Sequence, residues 1–413
     1  MATLQGNARR PSIAESTWRK VKKDVDVRQR LLISAILALL AGTWIRCSED
    51  PNPVGARLLP GSDLLSLDTV SLTATESYSQ IGVPSGAATR LLIGTTPEVE
   101  AWSVVRFSAL PDSIVFYPMV SAELNLRTVY HFGNDSLAPF SVDVHKVLME
   151  WGMDSLTIDS VNVPGFYDPT SSSFLDTSFA GDTAVISIPI DTAIVRSWGT
   201  ISDTSATNYG LLLRPTNTSL IKGFASFLAS DQTQLPQLLM RFKDASGNID
   251  TSIVITGTSR SVSKMRDANQ TSDGVRLYVR NGVSYRGFVG FDISSIPSHA
   301  AIHKAVLQLT QDQSSSEFNL YTIDSTLTMF VGDDGSVVNT IVDLGEPQQV
   351  GEQRVYQSSI GEIVQRWVRG STQHKVAITG YDEPDAVDLF VFYGAAAPQE
   401  LRPKLTVIYS LVQ

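Results

Sequence analysis

The strongest constraint in this sequence is that its body repeats itself. Residues 90–127 carry RLLIG, then WSVVRFSALPDSI, then VSAELNLR; residues 276–309 carry RLYVR, then RGFVGFDISSIPSHAAI, then HKAVLQL. Arg90 aligns with Arg276, Phe107 with Phe291, Pro111 with Pro297, and Ala122-x-Leu124-x-Leu126 with Ala305-x-Leu307-x-Leu309. The series continues with FSVDVHKV (140–147) against FNLYTIDS (318–325), and DTAIVRSW ending at Trp198 against IGEIVQRW ending at Trp367. NYGLLLRP then matches HKVAITGY, FASFLAS matches FVFYGAA, and LPQLLMRF matches RPKLTVIY. The offset is 184 at the Phe107 pair and 169 at the Trp198 pair, mainly because the first half contains an insertion around LTIDSVNVPGFYDPTSSSF. So many landmarks in one order imply a duplicated domain, and 413 residues is also too long for one ordinary core.

Within each half the apolar period is two. SAELNLRTVYH sets Ala122, Leu124, Leu126, Thr128 and Tyr130 against Glu123, Asn125 and Arg127, the pattern of a strand with one wet face. Pro236 and Pro403 stand at the start of the closing strands, where a missing N–H is tolerated. The exception is DTAIVRSWG: Asp191 can cap a short helix, Ile194, Val195 and Trp198 share a face, and Gly199 ends it. The expected fold is all-β: two tandem antiparallel β-sandwich (jelly-roll-like) domains, each with one short helix. Their expected limits are 65–245 and 246–413, preceded by a polar and basic extension (1–30), an apolar segment (31–46) and a tether (47–64).

The set VVRFSALPDSI…VSAELNLR, the helix ending in Trp198, NYGLLLRP and LPQLLMRF resembles the DNRLRE family, also described as carbohydrate-binding module family 96. The resemblance covers residues 65–242 and 255–409, although the hexapeptide that names the family does not occur. It implies a β-sandwich of a secreted or surface protein, with polysaccharide as a candidate partner.

Charge is unevenly placed. Residues 1–46 hold nine of the 32 Lys/Arg and three of the 42 Asp/Glu, leaving 23 bases and 39 acids in the remainder. An acidic body argues against nucleic acid, whose phosphates need a concentrated basic patch. Lys22, Lys23, Arg28 and Arg30 precede LLISAILALLAGTWI, which is the order of a secretory signal peptide and is short for a spanning helix. Leu40-Ala41-Gly42 resembles the tripeptide before a lipidated cysteine, but Cys47, the single cysteine, comes only after Thr43 and Arg46. The acidic, turn-rich SEDPNPVG that follows is a suitable tether. Lipidation of Cys47 is the first reading, cleavage near Ala41 or Gly42 the second, and an uncleaved anchor the third. The expected location is therefore a bacterial cell envelope, as an outer-membrane or cell-surface lipoprotein, or alternatively secretion.

No catalytic grouping recurs, and the chain reads as a non-enzyme. His131, His145, His299, His303 and His374 lie outside any metalloprotease spacing. Glu98 with Glu100 are acids between strands, and GDDGS (332–336) reads as a hairpin turn. Asp382, Glu383, Asp385 and Asp388 in GYDEPDAVD form the densest acidic loop and are candidates for a structural Ca²⁺. Trp102, Tyr278 and Tyr285 with Arg276, Arg280 and Arg286 are the candidate ligand site, since aromatic faces stack on sugars and guanidinium groups suit acidic ones. Trp198 and Trp367, at equivalent helix ends, are assigned to the core.

Overall fold

A computed structural model describes residues 66–82, 88–133, 138, 140–170, 173–177, 185–199, 208–266 and 273–411. Cys47, the basic extension and the apolar segment lie outside the described residues. In chain order the strands are β1 (Leu67–Thr73), β2 (Glu76–Ile81), β3 (Arg90–Thr95), β4 (Val99–Arg106), β5 (Met119–Phe132), β6 (Phe140–Lys146), β7 (Ser173–Thr177) and β8 (Val185–Ile190). They continue with β9 (Leu211–Thr218), β10 (Ile221–Ala225), β11 (Gln237–Lys243), β12 (Ile249–Ile255), β13 (Thr258–Met265), β14 (Arg276–Arg280) and β15 (Tyr285–Gly290). The last are β16 (Ala300–Thr310), β17 (Thr326–Val331), β18 (Val337–Val350), β19 (Gln353–Ser359), β20 (Lys375–Gly380), β21 (Leu389–Tyr393) and β22 (Lys404–Leu411). Among the described residues four short α-helices interrupt them, α1 (Ser113–Phe116), α2 (Ile158–Val161), α3 (Thr192–Arg196) and α4 (Gly361–Val368), with a 3-10 turn at Gln232–Gln234.

These strands form two antiparallel eleven-stranded sheets, each curled so that two layers face one another. The first runs β12-β11-β5-β10-β3-β4-β9-β6-β7, with β13 on β4 and β8 on β5. The second runs β1-β22-β16-β19-β18-β17-β20-β15-β14-β21, with β2 on β15. The all-β, two-sandwich reading of the sequence is thus the observed architecture. Alternation explains β5: Ala122, Leu124, Leu126, Thr128 and Tyr130 all face inward and are buried. Each such leucine contributes about 1.5–3 kcal/mol by leaving water. Helix α3 starts as its sequence requires, the Asp191 carboxylate accepting from the Ala193 N–H at 2.9 Å. Trp198 and Trp367 both lie in the cores that the two sandwiches enclose.

One sequence match is corrected. FNLYTIDS is not the counterpart of β6, for residues 318–325 form turns and Leu320 is 93% exposed. The counterpart is β17, since β6 pairs with β9 as β17 pairs with β20, and β9 and β20 carry the matched NYGLLLRP and HKVAITGY segments. Two apolar residues at spacing two imitated a strand, but only Phe318 packs on the core, against Phe390 of β21 at 4.8 Å, and Leu320 stays in water.

The pairing also crosses the boundary drawn at 245. β1 and β2 precede the first repeat, yet β1 pairs with β22 and β2 with β15 in the second sandwich. Reciprocally, β12 and β13 precede the second repeat and pair with β11 and β4 in the first. The two strand pairs are equivalent. LDTVSLTATESYS and IDTSIVITGTSRS align without a gap, and the N–H groups of Ala74 and Thr256 donate to the carbonyls of Pro403 and Pro236, each at 2.9 Å. The Ser79 hydroxyl accepts from the Tyr278 N–H at 2.9 Å, and Ser261 accepts from the Leu92 N–H at 3.1 Å. Each sandwich is completed by the pair that introduces the other, and residues 66–413 form one compact unit.

Candidate functional site

The densest polar cluster among the described residues lies where the two sandwiches meet. It is built on the loop that joins β20 to β21, residues 381–388. The turn joining β14 to β15 holds this loop from below. The Asn281 N–H donates to the Asp388 carbonyl at 3.0 Å and the Gly282 N–H to the Glu383 carbonyl at 2.6 Å. Gly282 has φ +78°, and a Cβ on it would stand 2.7 Å from the Ala386 carbonyl oxygen, so this approach requires glycine.

From the first sandwich, the start of β3 grips the same loop. The Arg90 guanidinium donates to Asp382 Oδ2 at 2.8 Å and to the Asp385 carbonyl at 3.0 Å. The Arg90 N–H donates to Asp385 Oδ1 and the Thr89 hydroxyl to Asp385 Oδ2, both at 2.8 Å. Arg90 also lies over the Tyr130 ring, 5.2 Å from its centroid, and the Tyr130 hydroxyl accepts from the Val387 N–H at 3.2 Å. Beside them the 319–322 turn reaches across: the Asn319 amide donates to the His131 carbonyl at 3.0 Å, and the Tyr321 ring packs on Tyr130 and His131. An apolar cluster shared by both sandwiches surrounds these contacts, including Leu92, Ile221, Val283, Tyr285 and Val387.

The four acidic residues proposed for a cation take different partners. Glu383 accepts two bonds from Arg286, at 2.7 and 2.8 Å, and both side chains are about 95% buried. Asp382 and Asp385 bind Arg90 and Thr89, while Asp388 Oδ1 accepts from the Thr322 hydroxyl at 2.7 Å. Among the described residues no three His, Cys, Asp or Glu side chains converge as metal ligands. Burial pushes the Asp388 carboxyl up to about 6, with the Asp382 charge adding to the effect. Burial also raises Asp382, and Arg90 opposes that rise. The Asp388 side chain is completely enclosed, so a substrate has no path to it in this conformation.

The expected ligand-facing residues turn inward as well. Trp102 is 2% exposed, beneath Trp151, Leu156, Ile158, Val161 and Phe166 from the insertion of the first half. Its indole N–H donates to Glu100 at 2.9 Å, and the Arg214 guanidinium lies 5.0 Å from its ring centroid. Tyr285 is buried and Tyr278 half-buried, both against the seam cluster. Arg280 is buried and donates to Glu317 at 2.9 Å, whereas the more exposed Arg276 donates to Asp312 at 3.0 Å. Of the six candidates, four therefore gather at or near the seam, and Trp102 and Arg276 stand apart from it. Sequence reasoning missed Arg90, Tyr130, Asn319 and Thr322. The one available signal was the match between Arg90 and Arg276, a cation at the start of the same strand in both halves.

Next to the seam lies an open cleft of about 280 Å³. Its walls come from the inserted segment (Leu156, Ile158, Asp159), from β13 (Arg260, Val262, Lys264) and from the second sandwich (Val283, Pro384). Burial disfavours the charge on Arg260, with Asp154 as the acid that supports it. Lys264 pairs with Glu100 at 3.1 Å.

No family model matches the chain, and no curated protein matches it. Among solved structures, the chain aligns with that of the infectious bursal disease virus Gx strain at 11% identity and a TM-score of 0.12, covering 85% of this chain and 78% of that one. A T=1 particle derived from infectious bursal virus gives 10% identity and the same TM-score, covering 84% and 74%. Likeness of this degree carries no argument about fold or function.

Proposed function

We propose that this chain is an exported protein held at a bacterial cell envelope through Cys47, and that it catalyses no reaction. Its two sandwiches act as one stiff structural or adhesive element that contacts other proteins. The observation that carries this reading is the seam. The cations and tyrosines best suited to a sugar are engaged inside the molecule, where Arg90, Arg280 and Arg286 hold acids and carbonyls of the second sandwich. The signal-like segment before Cys47 and the resemblance to the DNRLRE family support the location. Affinity electrophoresis of the full chain through gels containing acidic polysaccharides tests the reading: unchanged mobility is the expected result, and retardation in any of them overturns it.

A second reading, polysaccharide binding, is favoured by the cleft. Its size suits a sugar residue or two, and Arg260 and Lys264 give its wall two cations. On that reading retardation by an acidic polysaccharide is lost in Arg260→Ala and retained in Arg276→Ala, because Arg276 lies away from the cleft and is paired with Asp312.

A further inference from the structure

The strand exchange between the repeats defines a recognition surface. The pair β1–β2 makes its ladder and side-chain contacts with the second sandwich. Seven residues of β1 are in register with β22 and six residues of β2 with β15. Val70 and Leu72 pack against the core of that sandwich, and Ala74 is part of it. The Tyr78 ring stacks on Phe288 at 5.0 Å, and Glu76 pairs with Lys375 at 2.9 Å. The connection to the first sandwich, through residues 82–89, is covalent.

The pair is therefore a ligand of the second sandwich that happens to be tethered to the first. Its partner groove holds an extended segment by a main-chain ladder on β22 and β15 and by apolar contacts at the alternate positions Val70, Leu72 and Ala74. β12–β13 stands in the same relation to the first sandwich, on equivalent hydrogen bonds. The chain is thus organised as a reciprocally exchanged dimer whose two halves are covalently joined.

We infer that a second copy of this chain can fill the groove: one copy donates residues 66–82 to the second sandwich of another. The ladder and side-chain contacts of the exchanged element are identical in the closed and exchanged arrangements. Because Thr89 and Arg90 follow it closely and bind Asp385 and Asp382, the seam contacts pass with it to the same second sandwich, so connectivity alone separates the two. The tether supplies the closed form with an effective concentration on the order of millimolar. Exchange between copies therefore grows as copies are crowded while they fold, the condition of a protein concentrated on a surface.

Single-cysteine chains test this in a Cys47→Ser background. Ser71 and Thr406 are opposed in the β1–β22 register and face outward. The double variant Ser71→Cys/Thr406→Cys should close an internal disulfide, which verifies the register. Ser71→Cys and Thr406→Cys chains carrying different tags, folded together and then oxidised, should yield a covalent dimer bearing both tags, with a yield that rises with protein concentration. Ser71→Cys mixed with Ser246→Cys, an exposed position in the first sandwich, controls for random collision. A mixed dimer from the matched pair well above that control supports the exchange. Mixed chains that stay at control level at every concentration overturn it, as does a double variant that does not close.

Discussion

Trp102 and Arg286 hold the same place in the two sandwiches. Each lies on the strand that receives the guest pair, Trp102 opposite Val262 of β13 and Arg286 opposite Gln80 of β2. The first sandwich covers its residue with its own insertion, an apolar lid on an indole. The second covers its residue with the 381–388 loop, through the paired hydrogen bonds of Arg286 to Glu383. The apolar solution is local and ends where the lid ends. The polar solution fixes a loop whose remaining acids are then free to grip Arg90 of the other sandwich. One position thus stabilises a single domain in one half and joins two domains in the other.

Truncation separates these solutions and carries the largest expected effect. Trp102→Ala leaves a cavity beneath Trp151, Leu156, Ile158 and Phe166 and should cost about 3–5 kcal/mol. Arg286→Met should cost a similar 3–5 kcal/mol, because it removes both guanidinium hydrogen bonds from the buried Glu383 carboxylate. The distinction lies in rescue: adding Glu383→Leu to Arg286→Met should recover most of the loss, since two apolar side chains can replace a buried ion pair. Urea unfolding of the two single variants and the double one is the measurement. If Glu383→Leu restores nothing, the pair does more than satisfy its own charges, and the contrast with Trp102 fails.

That contrast was only half visible in the sequence. Alternation in SAELNLRTVYH and the two tryptophans at helix ends gave strands and core, because burial on one face imposes its period on the residues themselves. The place of the loop acids was not legible, since GYDEPDAVD has the composition of a turn, and only the packing of two distant segments makes it an interior. Leu320 misled for the related reason that alternation requires a neighbour to bury it. The guest strands left a readable trace, LDT and IDT at equivalent offsets, but sequence order alone assigns each pair to the repeat it precedes. Trp102 looked available because its cover lies fifty residues away, in an insertion that reads as loop.

The two halves should also respond to pH in opposite senses. In the second, Asp388 is held near pH 6 by burial, close to Asp382 and Arg90, with the Thr322 hydroxyl as its donor. Because the folded value lies above the unfolded one, the folded state retains the proton more strongly. The associated stability is complete below about pH 4 and lost as pH rises through 6. Asp388→Asn should therefore raise stability at pH 7 by an amount on the order of 2–3 kcal/mol and change little at pH 4. Equal effects at the two pH values would remove the titration from the account.

The smallest effect belongs to His145 in the first sandwich. Its ring is 3% exposed, Nδ1 lies 3.0 Å from the Asp168 carbonyl, and Tyr167 packs beside it at 4.9 Å. Burial holds its pKa below the usual histidine value, while the Asp143 charge opposes that shift and Arg214 reinforces it. Here the folded value lies below the unfolded one, so the neutral ring's contribution is present above the unfolded value and is lost as pH falls below it. His145→Gln keeps a polar group of similar reach and removes the titration. The expected outcome is a flatter acid limb in the plot of Tm against pH, with the Asp388 limb unchanged. If His145→Gln also alters the loss of stability as pH rises through 6, the two sandwiches titrate as one unit, and the seam rather than either core sets the pH response.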